Sequence, residues 1–100
     1  MASGTTAQRG IDALANVLRI VGMAIVAVLV VFVVLTLLSA NPDNGLTMIV
    51  TDLADTFSLG LGDLFQPEDP KLAVALNFGT AALLWFAITS IVVRLVRRLG

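Results

Sequence analysis

The side chains equipped for chemistry are few, and they sit at the margins of two long apolar runs. Asp43, Asp52, Asp55, Asp63, Glu68 and Asp69 all fall between positions 41 and 71, a stretch whose one basic residue is Lys71. Clustered carboxylates can gather a divalent cation, but a calcium loop needs its ligands at fixed offsets around a glycine, and no such spacing occurs here. A solvated acidic face is the better reading. Histidine and cysteine are absent, which excludes haem ligation, the usual zinc sites, disulfides and His- or Cys-based catalysis. No glycine-rich phosphate loop and no basic nucleic-acid patch is present. The residues point to a protein that is not an enzyme, takes no cofactor or metal and binds no nucleic acid.

What remains must be positioned by the apolar runs, residues 20–40 and 72–93, neither of which contains a charge. As helices at ~1.5 Å per residue each extends about 31–33 Å, the thickness of a ~30 Å hydrocarbon core. Composition agrees: 58% of residues are hydrophobic and 13% charged, against roughly a quarter charged in soluble proteins. The expected fold class is an all-α membrane protein, a two-span transmembrane helical hairpin with an amphipathic interfacial helix in the outer connection. It divides into an N-terminal segment 1–19, span one 20–40, a connection 41–71, span two 72–93 and a basic tail 94–100. Span one is longer than the roughly 7–15 residues of a signal-peptide core, and Leu38 is too bulky for a cleavage site after Ala40, so it is expected to be retained.

Charge sets the orientation. Arg9 and Arg19 precede span one, and Arg94, Arg97 and Arg98 follow span two, against Lys71 alone in the connection. Basic flanks are held on the cytoplasmic side, which predicts both termini cytoplasmic and the connection outside. Arg94, Arg97 and Arg98 lie at i, i+3 and i+4 on one helix face. With Arg19 they serve as lipid and topology anchors, falling short of the roughly four to eight basic residues of a dedicated lipid-binding cluster.

Within the connection, Leu46, Ile49, Val50, Leu53 and Phe57 recur at helical spacing, with Thr47, Thr51, Asp52, Asp55, Thr56 and Ser58 opposite. This predicts an amphipathic helix over about 46–59, capped by Asp43 or Asn44 and stopped by Gly60. It is expected to lie flat on the outer leaflet with that apolar face down, docking on a partner protein being the other reading. Asp69 before Pro70 marks the start of span two.

Spans associate through small residues and a few hydrogen bonds. Ala75, Gly79, Ala82 and Phe86, with Ser90 at the margin, form a candidate helix-packing face on span two. Asn77 and Trp85 are candidate interhelical contacts: the amide seeks a partner across an interface or from interfacial water, and the indole lies too deep for the interfacial belt. Span one is aliphatic, its small residues Gly22, Ala24 and Ala27 lying near one end, and reads as mainly lipid-facing in its outer half.

Over residues 54–65 (ADTFSLGLGDLF) and Lys71-Leu72-Ala73-Val74, the chain resembles small two-span actinobacterial membrane proteins of unknown function. That resemblance implies a bacterial plasma membrane and supplies no activity. Span two is also similar to the second helix of large-conductance mechanosensitive channels, with Leu76-Asn77-Phe78 entering an apolar run and arginines from 94 to 98. Span one lacks that family's glycine-rich, aspartate-bearing first helix, and the channel function is not carried over. The expected function is a structural or accessory subunit, surrounded by membrane lipids, that self-associates or docks on a larger membrane complex. The alternative is a holin-like or small-channel homo-oligomer, against which stands the lack of a polar stripe along either span.

Overall fold

The computed structural model describes residues 2–99, with side chains from Thr5 onward. Three helices carry the chain: α1 (Ala2–Leu37), α2 (Gly45–Thr56) and α3 (Pro70–Arg98). Among the described residues there is no strand. Two segments, Thr5–Leu37 and Pro70–Arg98, are long and apolar enough to cross a membrane.

Each boundary has a local cause. α1 runs unbroken through the N-terminal segment and ends in a left-handed residue, Ser39 (φ 57°). The Ala40 N–H donates to Leu35 O at 2.9 Å and the Ser39 N–H to Thr36 O at 3.0 Å, the paired bonds of a Schellman stop. Glycine usually holds that place, because a Cβ there costs roughly 1–2 kcal/mol. Ser39 instead accepts a hydrogen bond from Lys71 Nζ, tying the end of α1 to the start of α3. That bond is exposed and offsets little, so Ser39→Gly is expected to stabilise the fold by about 1 kcal/mol, read as a raised unfolding midpoint in detergent.

Asn44 caps α2, its side chain accepting from Leu46 N–H (2.9 Å) and Thr47 N–H (3.4 Å). The helix leaves α geometry at Phe57 (φ −101°, ψ 16°), short of the expected residue 59. Gly60 does not stop it. Leu59 (φ 58°) and Gly60 (φ 72°) are the two central residues of a tight turn closed by Leu61 N–H to Ser58 O at 3.0 Å, with the positive φ pair of a type I′ turn. α3 starts as its residues predict: Pro70 occupies the first turn and Asp69 accepts from Lys71 N–H at 2.9 Å.

α1 and α3 run antiparallel in constant register. Arg97 donates to Asn16 Oδ1 (3.1 Å) at one end, Gly22 lies under Thr89, Phe32 meets Phe78 edge-on with ring centroids 4.7 Å apart, and Ser39 meets Lys71 at the other end. The body measures 60 × 27 × 17 Å. Its core is built from Ile25, Leu29, Ala54, Phe78, Ala81 and Ala82, with Trp85 and Phe57 packed on it. Small or polar groups fill much of the rest of the interior (Ala15, Gly22, Asn77, Thr89), while Ile20, Val30, Leu83 and Leu95 point outward.

Candidate functional site

The connection is the chemically interesting part of the molecule, because two side chains of α3 hold its irregular backbone. Asn77 is 2% exposed. Its Oδ1 accepts from Phe65 N–H at 2.6 Å, and its Nδ2 donates to Gly62 O at 2.7 Å and Phe65 O at 2.9 Å. The amide thus binds the returning stretch of its own connection, and not a neighbouring helix or water as expected from the residues. One side chain satisfies three backbone groups that no helix or sheet pairs.

Trp85 does the same at the far end of α2. Its Nε1–H donates to Phe57 O at 2.8 Å, and its ring meets Phe57 edge-on, centroids 5.9 Å apart. The contact is with a carbonyl at the C-terminus of α2, one of the groups a helix end leaves unpaired. Trp85→Phe keeps most of the ring contact and removes the donor. It is expected to cost about 1–2 kcal/mol and to speed hydrogen exchange in the last turn of α2.

α2 does not lie across the end of the α1–α3 pair. Thr47 and Thr51 share a hollow with Phe32, Leu35 and Thr36 of α1, and Phe57 one with Ala24, Ile25 and Val28. Successive turns of α2 therefore meet α1 progressively further from its C-terminal end. The buried side carries Ala54, fully buried, with Thr47, Val50, Thr51 and Phe57 partly buried. Of the apolar face read from the sequence, Leu46 (69%), Ile49 (58%) and Leu53 (40%) are exposed, and Val50 and Phe57 alone turn inward. Small side chains let the backbones approach, and the Thr51 hydroxyl carries its own partner, donating to Thr47 O at 2.8 Å. The exposed side of α2 then splits by helical position: Leu46, Ile49 and Leu53 on one flank, Met48, Asp52 and Asp55 on the other.

The packing face read on span two is only partly used within the chain. Ala82 is buried, Ala75, Gly79 and Ser90 are intermediate, and Phe86 is exposed. A Cβ added to Gly79 would meet nothing within 4 Å. The face of α3 that meets α1 instead includes Phe78, Ala81, Trp85 and Thr89. Gly22 and Thr89 were missed as a contact. The signal was that Gly22 is the one glycine in the first apolar run. Arg19, Arg94, Arg97 and Arg98 are exposed, and Arg97 reaches Asn16. Among the described residues, no three His, Cys, Asp or Glu side chains group as metal ligands. Comparison with protein-family models, with curated proteins and with solved structures finds no match to this chain.

Proposed function

We propose that the chain is a small integral protein of a bacterial plasma membrane, a two-span hairpin with both termini cytoplasmic, and that it acts without enzymatic chemistry as a structural or accessory subunit. The observation that carries this reading is the inverted burial. Small groups (Gly22, Ala54, Ala81, Ala82 and Thr89) fill much of the contact between the helices beside Ile25, Leu29 and Phe78, while most Leu, Val and Ile side chains lie on the outside. In water such a surface is a large sticky patch; in lipid, small residues inside and aliphatic ones outside are what helix association requires.

Association with further helices uses what the fold leaves open. The side of α3 carrying Ala75 and Gly79 has room beside Gly79, enough for the close approach of a second copy or of a larger complex. Native mass spectrometry after gentle, lipid-preserving extraction is expected to show a closed homo-oligomer or a fixed ratio to a larger membrane protein. Gly79→Ile is expected to leave the monomer folded and to reduce that assembly by about tenfold or more. Unchanged assembly in the variant counts against this contact face. A second reading, a holin-like or small-channel oligomer, draws support from the Asp52 and Asp55 flank of α2, a polar surface neither long helix offers. Single-channel conductance in planar bilayers separates the two.

A further inference from the structure

Two independent rulers place the end of α2 far along the side of the long helices. Ser39 and Lys71 join at one end of the pair. Trp85, which binds Phe57 O, lies along α3 from Lys71 by about 21 Å at ~1.5 Å per residue. On α1, the Ala24–Val28 stretch beside Phe57 lies about 17–22 Å from Ser39 by the same rise. The length of α2, about 18 Å, accounts for the descent. The chain then climbs back past Asn77, about 9 Å from Lys71, to Asp69.

The geometry points to a re-entrant membrane segment, residues 45–69, whose exposed acidic flank is kept in contact with water from the outer side. The inference rests on the two-span reading above, in which the end marked by Ser39 and Lys71 is the outer face. Irregular backbone survives at membrane depth only where protein satisfies it, and Asn77 and Trp85 supply that at both levels. The turn at the bottom exposes an apolar residue: Leu59 holds its left-handed position with the side chain 44% exposed, a surface that hydrocarbon covers at that depth without cost. The split exterior of α2 decides what covers each side. Asp52 and Asp55 lie about 10 and 15 Å along α2 from Gly45, and a carboxylate against lipid tails at that depth is strongly unfavourable. Water therefore takes the Met48, Asp52 and Asp55 flank, and lipid takes Leu46, Ile49 and Leu53.

The chain has no cysteine, so single cysteines report each position directly. In intact cells exposed to a charged, membrane-impermeant maleimide, Asp43→Cys gives the fully wetted rate and Val30→Cys, mid-way along the first apolar run, the lipid rate. Asp52→Cys and Asp55→Cys, each keeping the other carboxylate, are expected within about tenfold of Asp43→Cys. Leu53→Cys and Leu59→Cys are expected to react about a hundredfold or more slowly, since a thiol in hydrocarbon does not ionise. Leu53 sits on a regular helix surface, so it carries the reading even where the strained Leu59 variant fails to accumulate. Fast labelling of Leu53→Cys overturns the re-entrant segment, because that flank then meets water. Equal depths for nitroxides on Leu46→Cys and Leu53→Cys by power-saturation electron paramagnetic resonance overturn it too. A descending helix puts Leu53 about 10 Å deeper, and a helix flat on the surface puts both at one level. Blocked labelling of both aspartate positions overturns the wetted acidic flank. Fast labelling of Val30→Cys overturns the two-span reading itself, a result distinct from the other two.

Discussion

Asn77→Ala is expected to lower the unfolding free energy by about 3 kcal/mol and to free the 62–65 stretch from α3. The size follows from what is left behind. The Phe65 N–H, Phe65 O and Gly62 O each lose the partner they have in Asn77, and an orphaned buried polar group costs roughly 1–3 kcal/mol. Interhelical side-chain bonds in membrane proteins average only about 0.6 kcal/mol, because their alternatives are seldom empty. Asn77 differs in serving backbone that no secondary structure pairs. Asn77→Asp separates hydrogen bonding from shape: it keeps an acceptor for Phe65 N–H but turns a second oxygen on two carbonyls, and it is expected to be at least as damaging as alanine. Leu83→Ala on the exposed side of α3 (72% exposed) is the matched control, expected within about 0.5 kcal/mol. The check is hydrogen exchange at the Phe65 amide, alongside unfolding in bicelles. Unaltered protection at Phe65 in Asn77→Ala counts against the clamp.

Gly22→Ala is the second large effect, expected at about 2–3 kcal/mol from a single added methyl group. A Cβ on Gly22 would stand 2.5 Å from Thr89 Cγ2 and 2.8 Å from Thr89 Cβ, with Oγ1 closer still. Rotation of Thr89 can move its hydroxyl and methyl, but not its Cβ, which the backbone fixes. The helices must therefore separate, loosening the Arg97–Asn16 contact nearby. Thr89→Ala is expected to rescue Gly22→Ala only in part, and Thr89→Gly almost fully. A double-mutant cycle on unfolding measures the coupling. Additive effects in the Gly22→Ala, Thr89→Gly pair would remove the contact from the account.

Elements with a local physical cause were legible in the residues. The Asp69-Pro70 start and the cap of α2 each depend on a few adjacent side chains, and the structure has α3 beginning at Pro70 and Asn44 capping α2. What sequence reasoning missed depends on distant pairings. Asn77 was recognised as needing a partner, but the partners are backbone atoms twelve and fifteen positions away, and a main-chain carbonyl leaves no mark on residue type. Trp85 was read as packed against a helix, and its indole found Phe57 O, twenty-eight positions back. The side of α2 that meets α1 carries no apolar mark either. Thr47, Thr51 and Ala54 face inward while Leu46 and Ile49 stay outside, the close approach that small residues allow making the contact.

The order of synthesis gives the Asn77 clamp a further meaning. The ribosome makes residues 57–65 before it makes Asn77 and Trp85, the groups that satisfy them. Until α3 emerges, the Phe57, Gly62 and Phe65 carbonyls have only water to bind, and under the proposed two-span reading a nascent connection has to wait outside the lipid. On the proposed two-span reading the two long helices insert first and the connection settles against them afterwards, the sequence of events expected when spans form independently before they pack. Folding of the connection is thus completed from the C-terminal half of the chain, and a chain truncated before Asn77 is expected to leave its connection unheld.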